Sequence, residues 1–164
     1  MPPTDPNEAT TNFIQTARIA CREIEGFDGK RFAPLMKALT RLLAASESLK
    51  ACELEPDVSE FHIEAVELHA PASSSQDTVF YEIFDPSDER SVTRVSFEDC
   101  LRDIYGALEG GLRVLDHSVE KRPTVLWEWR FGYQFHWGRH LIDAVRFIML
   151  SGIVEGRTDP SRQT

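Results

Sequence analysis

The chain has 164 residues, of which 41% are hydrophobic, and its formal net charge is −9. This length fits one domain over 1–164, with flexible tails at 1–7 and 155–164. The acidic balance argues against nucleic-acid binding, which needs a concentrated basic surface. No run of about 18 apolar residues is present, so we expect no membrane span.

The cysteines and the N-terminal residues bear on the cellular compartment. Cys21, Cys52 and Cys100 are odd in number, far apart in the sequence and form no CxxC pair. This usage is typical of reduced thiols. The first residues lack the basic and apolar segments of a signal peptide. We therefore expect a cytoplasmic protein.

Apolar residues at helical spacing predict two helices in the first third of the chain. The first helix follows Asn7, which can cap it, and ends at Gly26. The second follows Asp28 and continues to Leu49. The short connection 26–29 predicts that the two helices are antiparallel neighbours.

A crossover of about 45 residues follows, and it is longer than most loops. Within it, residues 78–84 (TVFYEIF) are β-branched and aromatic, which indicates either a strand or one or two helical turns. Ser96 and Asp99 have the spacing of a capping box, and they open a third long helix that continues to Leu115. The crossover should therefore contain short elements of its own.

The stretch 125–150 contains all three tryptophans and most of the other aromatic residues of the C-terminal half. Its aromatic residues alternate from Trp127 to Trp137, which is a strand pattern. At about 100° per residue, however, the same residues form two apolar rows on a helix. Residues 138–150 are helical in either interpretation and no breaker precedes them, so we predict one helix that ends at Gly152.

The two rows of this last helix have different expected environments. We expect the row of Trp127, Phe131 and Phe135 to pack on the other long helices, so that Trp127→Ala costs about 3–5 kcal/mol. The opposite row, with Trp129, Tyr133 and Trp137, is surplus apolar surface that the crossover should largely cover. A helix that is apolar nearly all round is central to its fold.

These elements predict an all-α fold. Four long helices form two antiparallel hairpins, and the long crossover joins the hairpins. The alternative is an α+β fold in which residues 78–84 and 125–137 form a short strand pair.

Several runs resemble a small bacterial domain family of unknown function that is predominantly helical. The likeness covers roughly residues 10–150. The resemblance implies a helical fold, and it implies no activity, cofactor or catalytic residue. The runs that carry it are Tyr81-Glu82-Ile83-Phe84-Asp85-Pro86, Leu101-Arg102-Asp103-Ile104-Tyr105, Trp127-Glu128-Trp129-Arg130-Phe131, His136-Trp137-Gly138-Arg139-His140 and Asp143-Ala144-Val145-Arg146.

A candidate divalent metal site lies on the last helix. His136, His140 and Asp143 have the spacing i, i+4 and i+7, which places them on one helical face. His62 and His69 are spaced to share a second face, and together the two sets would complete a four-ligand site. In the structural alternative, Asp143 pairs with a neighbouring arginine and the histidines belong to the core.

The second candidate site is the aromatic row of Trp129, Tyr133 and Trp137, with Arg130 beside it. Such a row can bind an apolar or cationic ligand or a partner helix, although aromatic rows are more often core. We therefore expect a non-enzymatic binding domain that contacts a protein partner or a second copy of the chain, without a cofactor. The alternative is a metal-binding helical bundle, with hydrolase or transferase chemistry.

Overall fold

The computed structural model describes residues 6–49, 63, 66–68, 79–83 and 92–150. Within them the fold is predominantly helical, as predicted, and no helix is long and apolar enough to cross a membrane. A short 3₁₀ turn at 119–121 precedes the last two helices. The elements are α1 (Pro6–Glu25), α2 (Phe32–Leu49), β1 (Val79–Ile83), β2 (Val92–Ser96), α3 (Phe97–His117), α4 (Arg122–Phe135) and α5 (Trp137–Leu150).

The first hairpin consists of α1 and α2, joined by a tight turn. The N–H of Gly26 donates to the carbonyl of Arg22 at 3.0 Å as α1 ends. In the turn, Oδ1 of Asp28 accepts the backbone N–H groups of Lys30 and Arg31 at 3.0 and 3.1 Å. The short connection makes α1 and α2 neighbours, and they pack extensively on each other.

The third helix begins where the sequence predicts. Ser96 has extended backbone angles, and its hydroxyl accepts the N–H of Asp99 at 3.4 Å, as an N-cap does. Ile104 and Leu108, four residues apart, are fully buried, which fixes the inward face of α3. This helix packs mainly on α5 and also contacts α1 and α4.

The prediction of one continuous last helix is wrong, because the helix breaks at His136. This residue has φ −142° and ψ −89°, which ends α4, and α5 begins at the next residue. The N–H of His136 still donates to the carbonyl of Gly132 at 2.8 Å. The break therefore follows a complete last helical turn of α4.

Aromatic packing explains the break. The ring of Trp137 lies so close to Gly132 that a Cβ there would be 2.8 Å from it. On a continuous helix residues 132 and 137 are about 140° apart, so this contact requires the break. A Cβ on Gly138 would lie 2.0 Å from the carbonyl oxygen of Tyr133, and only glycine permits so close an approach. The break buries the Trp137 ring, and its Nε1–H donates to the carbonyl of Trp129 at 3.2 Å.

The assignment of the two aromatic rows is also wrong. Trp129, Tyr133 and Trp137 are buried, and the other long helices contact Trp129 and Tyr133. On the other row, Phe131 is 48% exposed and Phe135 is 73% exposed. The row that was expected to be surplus is therefore the core row of α4.

The crossover contributes a β-hairpin. Strands β1 and β2 are antiparallel, with Val79 opposite Ser96 and Ile83 opposite Val92. Residues 79–83 of the ambiguous run 78–84 thus form a strand. The proposed pairing of this strand with 125–137 is wrong, because residues 125–135 belong to α4 and its apolar positions bury against other helices.

Candidate metal centre

Two histidines and an aspartate converge where α3 passes the junction of α4 and α5. One donor atom each from Asp103, His136 and His140 lies within 4.8 Å of the other two. Nε2 of His140 is 3.2 Å from Oδ2 of Asp103. The side chain of His140 is 15% exposed and that of Asp103 is 38% exposed, while His136 is exposed. The group therefore lies at the edge of the core, within reach of solvent.

Local structure explains how these three side chains meet. His136 and His140 are four residues apart, and their ring centroids remain 5.3 Å apart across the break. Asp103 belongs to α3, which packs mainly on α5. Its neighbour Ile104 points into the core and is fully buried, which leaves Asp103 at the edge of the contact between the helices.

His140 also belongs to a second, more deeply buried group. A donor atom of His140 lies within 4.8 Å of donor atoms of Cys100 and Asp143. Cys100 is fully buried and Asp143 is 2% exposed. Donor atoms of both Asp103 and Asp143 thus lie within 4.8 Å of a donor atom of His140.

The outer group has the donor chemistry of a divalent metal site. Zn²⁺ is bound by histidine nitrogen and carboxylate oxygen at about 2.0–2.2 Å, so neighbouring donors of a tetrahedral site are about 3.3–3.4 Å apart. The observed 3.2 Å between His140 and Asp103 is close to this value. Because His136 is exposed, its ring can rotate toward the other two donors. Two imidazoles and one carboxylate leave coordination positions open for water or a ligand.

A cavity of about 290 Å³ adjoins this outer group. One wall comes from α3, and two residues of the described crossover segment 66–68 form part of another. Asp103 and His136 belong both to the lining and to the donor group. The described lining residues are Val66, Glu67, Arg102, Asp103, Gly106, Ala107 and His136.

The structure brings together part of the predicted metal site. His136 and His140 share the outer group, while Asp143 joins His140 in the inner group with Cys100. His62 and His69 lie outside the described residues. Asp103 was not among the predicted ligands, although Cys100 and Asp103 are three residues apart and therefore share a face of α3. Nothing in that spacing shows that α3 passes the histidines.

The predicted aromatic binding residues belong to the core. Trp129 packs on Phe13 with ring centroids 5.3 Å apart, and its Nε1–H donates to the carbonyl of Ala107 at 3.0 Å. The rings of Trp137 and Tyr133 are in contact, with centroids 5.1 Å apart. These three aromatic side chains are at most 9% exposed, and Arg130 beside them is half-buried. The fold therefore leaves very little of this row accessible to a partner.

Tyr133 is the polar member of this buried row. Its hydroxyl donates to Oε1 of Glu47 at 2.7 Å, which ties α4 to α2. Burial raises the pKa of the Tyr133 phenol to about 12, and the hydrogen bond and negative charge of Glu47 act in the same direction. The phenol is therefore a hydrogen-bond donor at neutral pH.

The described fold defines the class of protein as a helical bundle with a two-histidine, one-carboxylate group at the edge of its core. A family model described as "Domain of unknown function (DUF5063)" matches residues 4–151, so the chain belongs to this family. This confirms the predicted resemblance to a helical family of unknown function. No curated protein and no solved structure matches the chain.

Proposed function

We propose that this domain binds a divalent transition-metal ion through Asp103, His136 and His140. The observation that supports the proposal is the convergence of these three donors, from α3 and from the α4–α5 junction, beside a cavity. The ion would bridge two helical elements that are distant in sequence. This revises the sequence-based hypothesis by replacing Asp143 with Asp103 in the ligand set.

The donor set favours particular metals. Imidazole suits zinc, iron, copper and nickel, whereas magnesium and calcium prefer sites built from oxygen ligands. Three protein ligands with an open position are typical of catalytic rather than structural zinc sites. A metal ion in such a site can polarise a bound water or a substrate oxygen, which is the chemistry of metal-dependent hydrolases and some transferases.

Calorimetric titration of Zn²⁺ into tag-free protein, previously treated with a chelator, tests the proposal. We expect one ion per chain. Loss of a residue that hydrogen-bonds to a metal ligand typically weakens metal binding by about 10–100-fold. Loss of a ligand itself should have a larger effect, so we expect Zn²⁺ binding to weaken by more than about 100-fold in each of the variants His136→Ala, His140→Ala and Asp103→Asn. His117→Ala is the matched control, because this histidine on α3 is exposed and its Nδ1 lies 2.8 Å from the carbonyl of Arg113.

The two aspartates near His140 give the sharpest comparison. Asp103→Asn removes a proposed ligand, whereas Asp143→Asn changes a buried group near His140 that is outside the proposed ligand set. We expect the first substitution to weaken Zn²⁺ binding more than the second, with circular dichroism confirming that both variants fold. Wild-type protein without stoichiometric Zn²⁺, or affinities unchanged in both histidine variants, would end the metal proposal.

A second candidate function is self-association through the exposed row, defined as Trp127, Phe131 and Phe135. Two observations favour it. The rings of Trp127 and Phe131 stack, with centroids 5.3 Å apart and an interplanar angle of 9°. Phe131 is 48% exposed and Phe135 is 73% exposed. Exposed aromatic surface is typical of contact sites. Sedimentation velocity over a range of concentrations should show a dimer that Phe135→Ser weakens, and a wild-type monomer at every concentration would contradict this candidate.

A further inference from the structure

The cavity beside the metal ligands has the size of a small-molecule site. Its volume is about 290 Å³. Drug-sized ligands usually occupy pockets of about 300–1,000 Å³, so this cavity fits a smaller compound. Val66, Gly106 and Ala107 supply small or apolar lining, which leaves room for a compact carbon skeleton.

The charges of the lining determine which ligand chemistry fits. Among the lining residues that the structure describes, Arg102 is the single lysine or arginine, and Glu67 and Asp103 are the acids. The formal charge of these described lining residues is therefore −1 without a metal and +1 with a divalent ion bound. Binding of the ion thus changes their net charge to the sign that attracts anions.

Arg102 is held in place along α3. Its Nη1 donates to Oδ1 of Asp99, one helical turn earlier, and the two groups form an ion pair. A guanidinium has five N–H donors, so one such bond leaves donors for a second acceptor. Arginine binds carboxylate and phosphate with a fork geometry that lysine lacks.

We propose that the metal-loaded cavity binds a small oxyanion, a carboxylate or a phosphate. One oxygen occupies an open position on the metal ion, and another accepts hydrogen bonds from Arg102. The proposal rests on the metal-binding function proposed above and adds to it the class of ligand. The carboxylate of Glu67 also lines the cavity, and it repels an anion. This repulsion limits the affinity of the cavity for the oxyanion.

The experiment has two stages, so that the two proposals fail separately. In the first, Zn²⁺ is titrated into protein in a buffer that does not bind metal and contains no phosphate or carboxylate. In the second, the Zn²⁺-loaded protein is titrated with inorganic phosphate and, separately, with acetate. We expect at least one of these anions to bind the loaded protein and neither to bind the metal-free protein. The tighter anion identifies which oxyanion the cavity prefers.

Charge substitutions make the second stage specific. Arg102→Gln should weaken anion binding by roughly tenfold or more, as expected for loss of a hydrogen bond to a charged group, and should change Zn²⁺ affinity by less than about twofold. Glu67→Gln should strengthen anion binding by a few fold, because it removes an opposing charge. Opposite signs from two residues of one cavity distinguish a local effect from a general change in stability.

Arg113→Gln is the matched control for Arg102→Gln. Arg113 also lies on α3, is similarly exposed and also pairs with an acid of its own helix, Glu109. It lies eleven residues further along, about 16 Å by helical rise, and does not line the cavity. We expect this variant to bind the anion as the wild type does.

Three results would overturn the oxyanion proposal. The first is Zn²⁺-loaded protein that binds neither anion. The second is an Arg102→Gln variant that binds as tightly as the wild type or loses no more affinity than Arg113→Gln. The third is equal anion binding with and without metal. Failure of Zn²⁺ binding in the first stage would instead overturn the metal proposal, and the oxyanion proposal with it.

Discussion

Helix α4 carries two aromatic rows in very different environments. On one row, Trp129 is 1% exposed and contacts α1 and α3, and Tyr133 contacts α2. On the other, Phe131 and Phe135 are 48% and 73% exposed, and their rings contact each other and Trp127. Hydrophobicity alone does not determine which row is buried, because the exposed row contains two phenylalanines and the buried row contains the more polar tyrosine.

Specific contacts distinguish the two rows. The buried indole and phenol each donate a hydrogen bond, to the carbonyl of Ala107 and to Glu47. The indole of Trp129 also lies against Gly111, where a Cβ would be 2.6 Å from the ring. A buried polar aromatic is stable when its donor has a partner and its ring has room. The inward row is thus defined by its partners on other helices.

The largest expected effect is that of Trp129→Ala. The substitution removes the ring from between Phe13 and Gly111 and leaves a cavity, so we expect a loss of about 3–5 kcal/mol in the free energy of unfolding. Urea denaturation followed by circular dichroism measures it. A loss below about 1 kcal/mol would show that this row is not the core row of α4.

The helices were predictable because their apolar spacing and end signals are local. The Ser96–Asp99 cap is an example, and the structure confirms that Ser96 caps the third helix. The run 78–84 was ambiguous, because a short apolar and β-branched segment does not reveal its own partner. The structure shows that its residues 79–83 pair with residues 92–96, a partner that the run itself does not specify.

Three features depended on contacts that no local pattern contains. The choice of row depends on where Gly111 and Glu47 lie relative to α4. The break at His136 depends on the close packing of Trp137 against Gly132. The meeting of Asp103 with His140 spans 37 positions and depends on α3 packing along α5. The two histidines were predictable because both are on one helical face, and Asp103 was not because it comes from another helix.

An intermediate effect is expected for Tyr133→Phe, which tests the polar contact of the buried row. The loss of the hydrogen bond to Glu47 should cost about 1.5–3 kcal/mol at neutral pH, as expected for a bond to a charged group. Urea denaturation measures this loss, and an unchanged midpoint would show that the bond contributes nothing.

The same variant has an expected pH dependence. The pKa of Tyr133 is raised from 10.0 to about 12 in the folded protein, chiefly by burial. The folded state therefore favours the phenol, and its contribution to stability is complete below pH 10 and is lost as the pH rises from 10 to 12. The wild type should lose more stability than Tyr133→Phe over this interval. Parallel losses would contradict the raised pKa.

The smallest effect is expected for Trp127→Ala on the exposed row. Trp127 is half-buried, and its main aromatic contact is Phe131, which is itself 48% exposed. We therefore expect a loss of at most about 1 kcal/mol, instead of the 3–5 kcal/mol that the sequence pattern indicates. The double variant Trp127→Ala/Phe131→Ala should cost less than the sum of the single variants, because they share one contact. A loss equal to that of Trp129→Ala would show that Trp127 is packed as tightly as the core row, and would contradict the assignment of the two rows.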